Sequence, residues 1–331
     1  MDAYALNGQM QYTNLGHSGL MVSTVSLGSW LTIGNGAEQS TSDALVGCAI
    51  DLGINLLDTA DVYNRGEAEI ALAKAIAGRR RQHLVLASKC FFPMSEDVND
   101  RGLSRKHIFE SVEQSLRRLD TDYLDLYQCH RPDPLTPIRE TVMAMDDLIR
   151  QGKILYWGVS MWPADQIAEA VQFARDRGLH APIANQPKYN LYDREIETQV
   201  IPACERLGVG QIVFSPLAQG VLTGKYAVDQ EPAAGTRAAD ARLKKFVGRY
   251  MTPDHLEKAE ELNGLAKRFG LTASTTALAW CLRHTNVKSV IIGASKQEQL
   301  QENAGAADVA LPEELVVELD ALFPDAQLHS S

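Results

Sequence analysis

The chain predicts a closed barrel of eight parallel strands alternating with helices, a (β/α)8 barrel of the TIM type. Three observations carry that expectation. Eight short apolar runs recur along 331 residues, each followed by a stretch with helical spacing. The runs are continuously apolar, as strands buried on both faces must be. An open doubly wound sheet is the alternative, and it should show a glycine-rich turn after an early strand. Neither GxGxxG nor GxxxxGK[ST] occurs; Gly34-Asn35-Gly36 comes nearest, with Gln39 where the third glycine belongs.

The elements follow in order. Gln11 to Leu15 and Leu20 to Val22 flank a glycine-bearing turn and read as a hairpin cap. Strands are expected at Val25 to Gly28, Ile54 to Leu57, Leu84 to Ala87, Tyr123 to Tyr127, Ile154 to Val159, Ile183 to Asn185, Ile212 to Phe214 and Ser289 to Ile292. Helices are expected at Thr41 to Leu52, Ala68 to Ala77, Arg105 to Leu119 behind the cap Ser104, Ile138 to Arg150, Ala164 to Arg177 and Ile196 to Leu207. Leu256 to Phe269, Thr272 to Arg283 and Glu298 to Gly305 continue the series, and Glu313 to Phe323 adds an extra C-terminal helix. No linker composition interrupts the pattern, so 1–331 reads as one domain with residues 1–9 as a loose extension.

A hydrophobic content of 45% and a charged content of 22% describe an ordinary globule with a sizeable core. The net charge of -10 argues against nucleic acid or an anionic membrane as the main partner. Arg79-Arg80-Arg81 reads as a solvated helix terminus. The cysteines at 48, 90, 129, 204 and 281 are odd in number and never at CxxC spacing. That excludes a zinc ribbon or disulfide framework and points to a reducing, cytoplasmic setting. No apolar run reaches the length of a membrane span, and no basic-then-apolar leader opens the chain.

Barrels of this class place chemistry at the C-terminal ends of the strands. Residues there are Ser29 and Trp30, Asp58, Ser88 and Lys89, Gln128 and His130, Ser160, Asn185 and Gln186, Ser215, then Gly293 and Ser295. Taken singly, each has a structural explanation: an aspartate caps a turn, a lysine snorkels, and Ser295-Lys296-Gln297-Glu298 fits a capping box. Together they demand another, because charges buried without partners cost several kcal/mol. HExxH is absent, Trp162 spoils a nucleophile elbow at Gly158-Val159-Ser160, and the other histidines are scattered, so no metal is expected.

Reduction of a carbonyl fits. It needs a hydride on carbon and a proton on oxygen. The Tyr63 hydroxyl can donate that proton, although a reference pKa near ~10 makes it a reluctant acid. An ammonium at about 4 Å, at an effective dielectric of ~20, contributes about 4 kcal/mol, or nearly three powers of ten in acidity. Burial opposes this, so Lys89 needs its own anion, which Asp58 supplies. His130 would steer the carbonyl oxygen. No side chain stores a hydride, so a nicotinamide is required.

Gly53, Asp58-Thr59-Ala60 and Tyr63, with Lys89 and His130, resemble the aldo-keto reductase superfamily. The resemblance runs nearly the whole chain and is greatest to the branch of potassium-channel beta subunits and their bacterial relatives. Arg101 to Ile108, Arg131-Pro132-Asp133-Pro134, Ser215-Pro216-Leu217-Ala218 and Gly293-Ala294-Ser295 carry it. It implies NADPH (NADP) as cofactor and a catalytic set of Asp58, Tyr63, Lys89 and His130. It implies that Ser160 and Gln186 hold the carboxamide, with Ser29, Trp30 and Asp58 nearby, and that Phe214 stacks on the ring. Ser215, Pro216, Leu217, Ala218 and Gln219 would line the pyrophosphate, with Lys225 and Arg237 as cations. Gly293, Ser295, Lys296, Gln299, Glu302 and Asn303 would hold the adenosine end.

Departures accompany the match. Met161 stands where relatives tend to have Asn or Arg, and Gly36 where channel-subunit relatives have Gln. Those relatives also tend to carry Asn in place of His130, which favours a working reductase here. The long stretch 225–252 reads either as a surface loop or as a lid over the cofactor. Trp30, Tyr63, Phe91, Phe92, His130 and Trp162 suggest an aromatic-lined mouth for an aldehyde or ketone, with core packing as the other reading of the tryptophans and phenylalanines. Competing classes are a non-catalytic NADP(H)-binding regulatory subunit and a lyase or isomerase without nicotinamide. The resemblance admits monomers and homo-oligomers.

Overall fold

The computed structural model describes residues 10–34 and 38–324. The expected extension at 1–9 and the departure at Gly36 lie outside the described residues. Strands β1 (Tyr12–Asn14) and β2 (Met21–Ser23) pair antiparallel as the hairpin. The barrel then alternates β3 (Val25–Gly28), α1 (Gln39–Asp51), β4 (Leu56–Asp58), α2 (Glu67–Ile76), β5 (Val85–Cys90), α3 (Arg105–Leu119), β6 (Leu124–Cys129) and α4 (Ile138–Arg150). It continues with β7 (Ile154–Ser160), α5 (Ala164–Arg177), β8 (Ala184–Gln186), α6 (Val200–Leu207) and β9 (Gly210–Phe214). Helices α7 (Lys244–Val247), α8 (Pro253–Arg268) and α9 (Ala273–Leu282) precede β10 (Val287–Ile292), and α10 (Gln297–Ala304) and α11 (Glu313–Leu322) follow. All barrel pairings are parallel, and β10 closes the ring between β9 and β3.

Alternation along the strands sorts the core into two. Leu57, Leu86, Tyr127, Trp157, Val213 and Val290 belong to a cluster with the helix residues Leu45, Leu72, Val112, Met145, Ile167 and Leu278. Leu56, Val85, Ala87, Leu126, Ala184, Ile212 and Ile291 form the second cluster inside the barrel. Because side chains repeat every two residues, the inner face continues from Leu56 to Asp58 and from Ala87 to Lys89. It continues likewise from Leu126 to Gln128, from Ala184 to Gln186 and from Ile212 to Phe214. The apolar floor and the polar rim are one face read at different heights.

The hairpin seals the floor. Leu15 and Val22 are fully buried in the inner cluster, each contributing roughly 1.5–3 kcal/mol by burial. Tyr12 donates its hydroxyl to the Gly53 carbonyl at 2.6 Å, and Ser23 and Asn55 exchange hydrogen bonds.

Several local expectations need correction. The helix foreseen from Ile196 breaks into a 3-10 turn at Glu195–Glu197 and α6 from Val200. Pro202 lacks an N–H and is tolerated only in a first turn, so the α-helix starts just before it. Arg79, Arg80 and Arg81 lie beyond α2, and Arg81 is no solvated terminus: it pairs with Asp125 at 2.7 Å and covers the Tyr123 ring. The capping box at Ser295 does not form. Lys296 is the N-cap of α10 without a side-chain bond, and Gln299 turns back to accept from the Ser295 N–H at 3.1 Å. Ser104 does cap α3, accepting from the His107 N–H at 3.2 Å.

Gly16 tests the seal. Its φ is +57°, and a Cβ would meet the Gly208 and Ile183 carbonyl oxygens at 2.5 Å. Gly16→Ala is expected to lower stability by about 2–3 kcal/mol through left-handed strain and overpacking. The measurement is a urea midpoint shift at unchanged slope.

Candidate active site

The rim is built around one buried ammonium. Lys89 ends the inner face of β5 with no exposed surface. Its Nζ donates to Asp58 Oδ2 at 2.6 Å, to the Thr59 carbonyl at 2.7 Å and to Tyr63 Oη at 3.3 Å. Burial alone would lower the lysine pKa, but Asp58 and Tyr63 together hold it above the usual value. Asp58 is satisfied on its other oxygen, accepting from Gln186 Nε2 at 2.8 Å and from Gln128 Nε2 at 3.4 Å. The two amides therefore fix the carboxylate that fixes the lysine.

Tyr63 sits just past β4 on a contorted turn. Asn64, Arg65 and Gly66 are all left-handed, with φ of 47°, 54° and 92°. Non-glycine residues hold such angles only when their surroundings enforce them. Here Asn64 Nδ2 donates to the Gly34 carbonyl at 2.5 Å, and Arg118 packs against Gly66. Tyr63 is partly buried, and its hydroxyl end is enclosed. Burial pushes its pKa above the ordinary phenol value despite Lys89, so the expected net lowering is not found in the protein alone.

His130 packs edge-on against Tyr63 with 5.6 Å between ring centroids. Burial first, then Lys89 and Arg131, hold its pKa well below the usual value, so it is a neutral imidazole across the physiological range. Its Nδ1 is buried without a partner among the described residues. A neutral histidine retains one N–H donor, which is what polarising a carbonyl oxygen needs.

Other expected residues divide. Trp30 lies 6.5 Å from the Tyr63 ring, and Phe92 lies 5.0 Å from His130. Phe91 packs partly against the core, and Trp162 is 2% exposed within it, its indole N–H buried without a partner among the described residues. Ser29 is buried and donates to Thr59 Oγ1 at 2.8 Å. Ser160 donates to the Gln186 carbonyl at 2.7 Å. Phe246 from α7 was not foreseen: its ring stands 5.0 Å from Trp30. Nothing in its local sequence marks it, because the contact exists only once α7 folds back over the rim.

Between β9 and β10 the backbone is unusual. Ser215, Ala218 and Gln219 are left-handed, with φ of 55°, 46° and 59°. Pro216 is buried, and Leu217 packs on the core. Gln219 donates to Ser215 Oγ at 2.5 Å and accepts from Arg237 Nη1 at 2.6 Å. Arg237 also reaches Gly293, where an added Cβ would stand 3.3 Å from its Nη2. Burial holds both Lys225 and Arg237 below their usual pKa values, and no carboxylate among the described residues offsets it. Two partly desolvated cations beside a strained, donor-rich loop suit phosphate oxygens. At α10, Ser295 bonds Gln299, Glu302 accepts from Thr272 at 2.7 Å, Asn303 is buried and Lys296 is exposed.

A second polar layer lies outside the strands. Ser88, facing away from Lys89, donates to Glu69 Oε1 at 2.5 Å, and Glu69 pairs with Arg118 at 2.6 Å. Asp61 accepts from the Val62 N–H at 2.6 Å and from Ser111 at 2.9 Å, tying the Tyr63 turn to α3.

The fold and rim together define a parallel α/β barrel with a buried aspartate–lysine–tyrosine cluster at the C-terminal ends of its strands. The chain belongs to the aldo/keto reductase family, whose model matches residues 24–323. It is 45% identical over 303 residues to a probable voltage-gated potassium channel subunit beta of Arabidopsis thaliana, covering 91% of this chain and 92% of that protein. A protein of the same description from Oryza sativa subsp. japonica is 43% identical over 318 residues, covering 95% and 96%. Among the described residues no helix is long and apolar enough to cross a membrane.

Asp61 yields a pH dependence. Burial, then the neighbouring Glu69, push its pKa up to about 7. The folded protein therefore keeps a proton that the unfolded chain releases near pH 4, so the contribution of Asp61 falls as pH rises from about 4 to about 7 and is constant above. The difference in stability between wild type and Asp61→Asn is expected to change by roughly 2–4 kcal/mol across that window. Urea unfolding of both proteins at each pH checks it.

Proposed function

We propose that the protein is an NADPH-dependent reductase of aldehydes or ketones with Tyr63 as general acid. The observation that carries this is the position of Lys89, 2.6 Å from Asp58 and 3.3 Å from Tyr63. Tyr63 gives a proton to the carbonyl oxygen, Lys89 stabilises the tyrosinate left behind, and Asp58 keeps Lys89 charged. His130, neutral, orients the oxygen by donation. The nicotinamide, when bound, supplies the hydride.

The residues present fit that cofactor. Ser160, Gln186 and Phe214 would hold its reactive end, and Ser215, Leu217, Gln219, Lys225 and Arg237 its phosphates. Gly293, Ser295, Gln299, Glu302 and Asn303 would take the adenosine, and residues 225–252 would serve as the lid. Hydrogen bonding of Arg237 to Gln219 and the reach of Phe246 to Trp30 support the lid reading. The relatives' descriptions favour a second reading, a regulatory subunit that binds NADP(H) and a partner protein. His130 supports turnover over regulation.

Loss of NADPH absorbance with 4-nitrobenzaldehyde is the test. Tyr63→Phe is expected to cut kcat at least about a hundredfold, the usual worth of a positioned acid, with NADPH affinity retained. Cofactor binding without turnover in the unmodified protein supports the regulator, and no cofactor binding overturns both readings.

Cofactor choice follows from cations that meet no carboxylate among the described residues. Arg237 reaches Gly293 at the proposed adenosine end, where NADPH alone carries a 2′-phosphate, so Arg237→Ala is expected to weaken NADPH roughly ten- to a hundredfold and to leave NADH nearly unchanged. Lys296→Ala should act in the same direction but less, since the side chain is exposed. Titrations by tryptophan fluorescence quenching check both.

A further inference from the structure

Arg131 follows His130 at the rim of β6 and stands beside the reacting groups. Its Nη1 donates to the His130 carbonyl at 2.6 Å and reaches Ser160 Oγ at 3.5 Å. The guanidinium carbon is 5.5 Å from the centroid of the Phe92 ring, itself packed on His130. Its charge acts on both Tyr63 and His130. Other buried or half-buried arginines are paired: Arg81 with Asp125, and Arg118 with Glu69. Arg131 pairs with no carboxylate among the described residues, although burial holds its pKa below the usual value.

A guanidinium has five N–H donors in a planar fork. Only Nη1 is engaged here, so Nε and Nη2 make no hydrogen bond to the described residues. A half-buried cation with an idle fork costs desolvation free energy that an anion would return. The fork stands among Phe92, His130 and Ser160, around the place where the carbonyl of the proposed reaction must lie.

We propose that Arg131 selects carbonyl substrates that carry a carboxylate, binding it through Nε and Nη2 while the aldehyde or ketone faces Tyr63 and His130. The inference rests on the reductase reading for its orientation. Phe92 gives the substrate's body an apolar wall, so an aromatic or short apolar spacer between the two groups suits the site.

The test compares 4-carboxybenzaldehyde with uncharged 4-nitrobenzaldehyde of similar shape. Binding is measured calorimetrically with NADP+, a combination that cannot reduce either aldehyde, and again without cofactor. kcat/KM with NADPH is measured separately. The carboxylate is expected to bind roughly ten- to a hundredfold tighter to the unmodified protein. Arg131→Gln should bring the two aldehydes near parity, and Arg131→Lys, which keeps the charge but not the fork, should fall between. Equal binding of the two aldehydes to the unmodified protein overturns the proposal whether or not the variants fold. So does an Arg131→Gln variant that loses NADPH affinity but keeps the preference, which would assign the fork to the cofactor. A carboxylate preference that depends on Arg131 without turnover of either aldehyde supports Arg131 while rejecting the reductase reading.

Discussion

An ammonium with no exposed surface can exist in a protein only beside an anion, and the Lys89–Asp58 pair meets that condition at 2.6 Å. Much of the rim follows from it. Asp58 must end β4 on the inner face, and Lys89 must end β5 on the same face; the register that pairs Asp58 with Ala87 sets them one pleat apart. Gln128 and Gln186, arriving from β6 and β8, occupy the remaining carboxylate oxygen. Four strands are thus held in height by one charge pair. A slip of one residue in any of them would turn its polar end outward.

The same strands carry polar residues on their other face, where Ser88, Glu69, Arg118, Asp61 and Ser111 link β5 to α2 and α3. This outer layer holds the turn that bears Tyr63. The turn is costly by itself, with consecutive left-handed residues, and it persists because Asn64 and Arg118 anchor it. Position at the rim is therefore specified twice, from inside by charge and from outside by hydrogen bonds. Raising the Tyr63 pKa by burial and opposing it with Lys89 are parts of one arrangement, in which a dry site keeps the proton on tyrosine.

The barrel was legible because its strands are short, apolar and buried on both sides, so Ile54 to Leu57 or Tyr123 to Tyr127 stand out against amphipathic helices. Strand ends were less legible. β5 runs through Ser88 and Lys89 to Cys90, since backbone pairing continues after hydrophobicity stops. Asp58, Tyr63, Lys89 and His130 could be singled out because ionisable residues after buried strands need an explanation, and the structure brings the four together. Phe246 and the commitment of Gln219 to Arg237 were not legible, because each depends on how a long loop folds back. Arg131 was visible as a letter in a motif, but that it meets no anion among the described residues is a property of space. The helix start at Val200 was recoverable in principle from Pro202. The failure of the Ser295 cap was not, since it turns on which way Gln299 points.

The hairpin seal gives the molecule a closed end. Leu15 and Val22 plug the floor, and above them the inner cluster leaves Lys89 wholly enclosed. The charge cluster at the rim consequently communicates with solvent from one side only. Under the proposed reaction, a proton leaving Tyr63 would be replaced from the side that admits the carbonyl compound, the side of Trp30, Phe92 and His130, so proton traffic and ligand traffic would share a single gate.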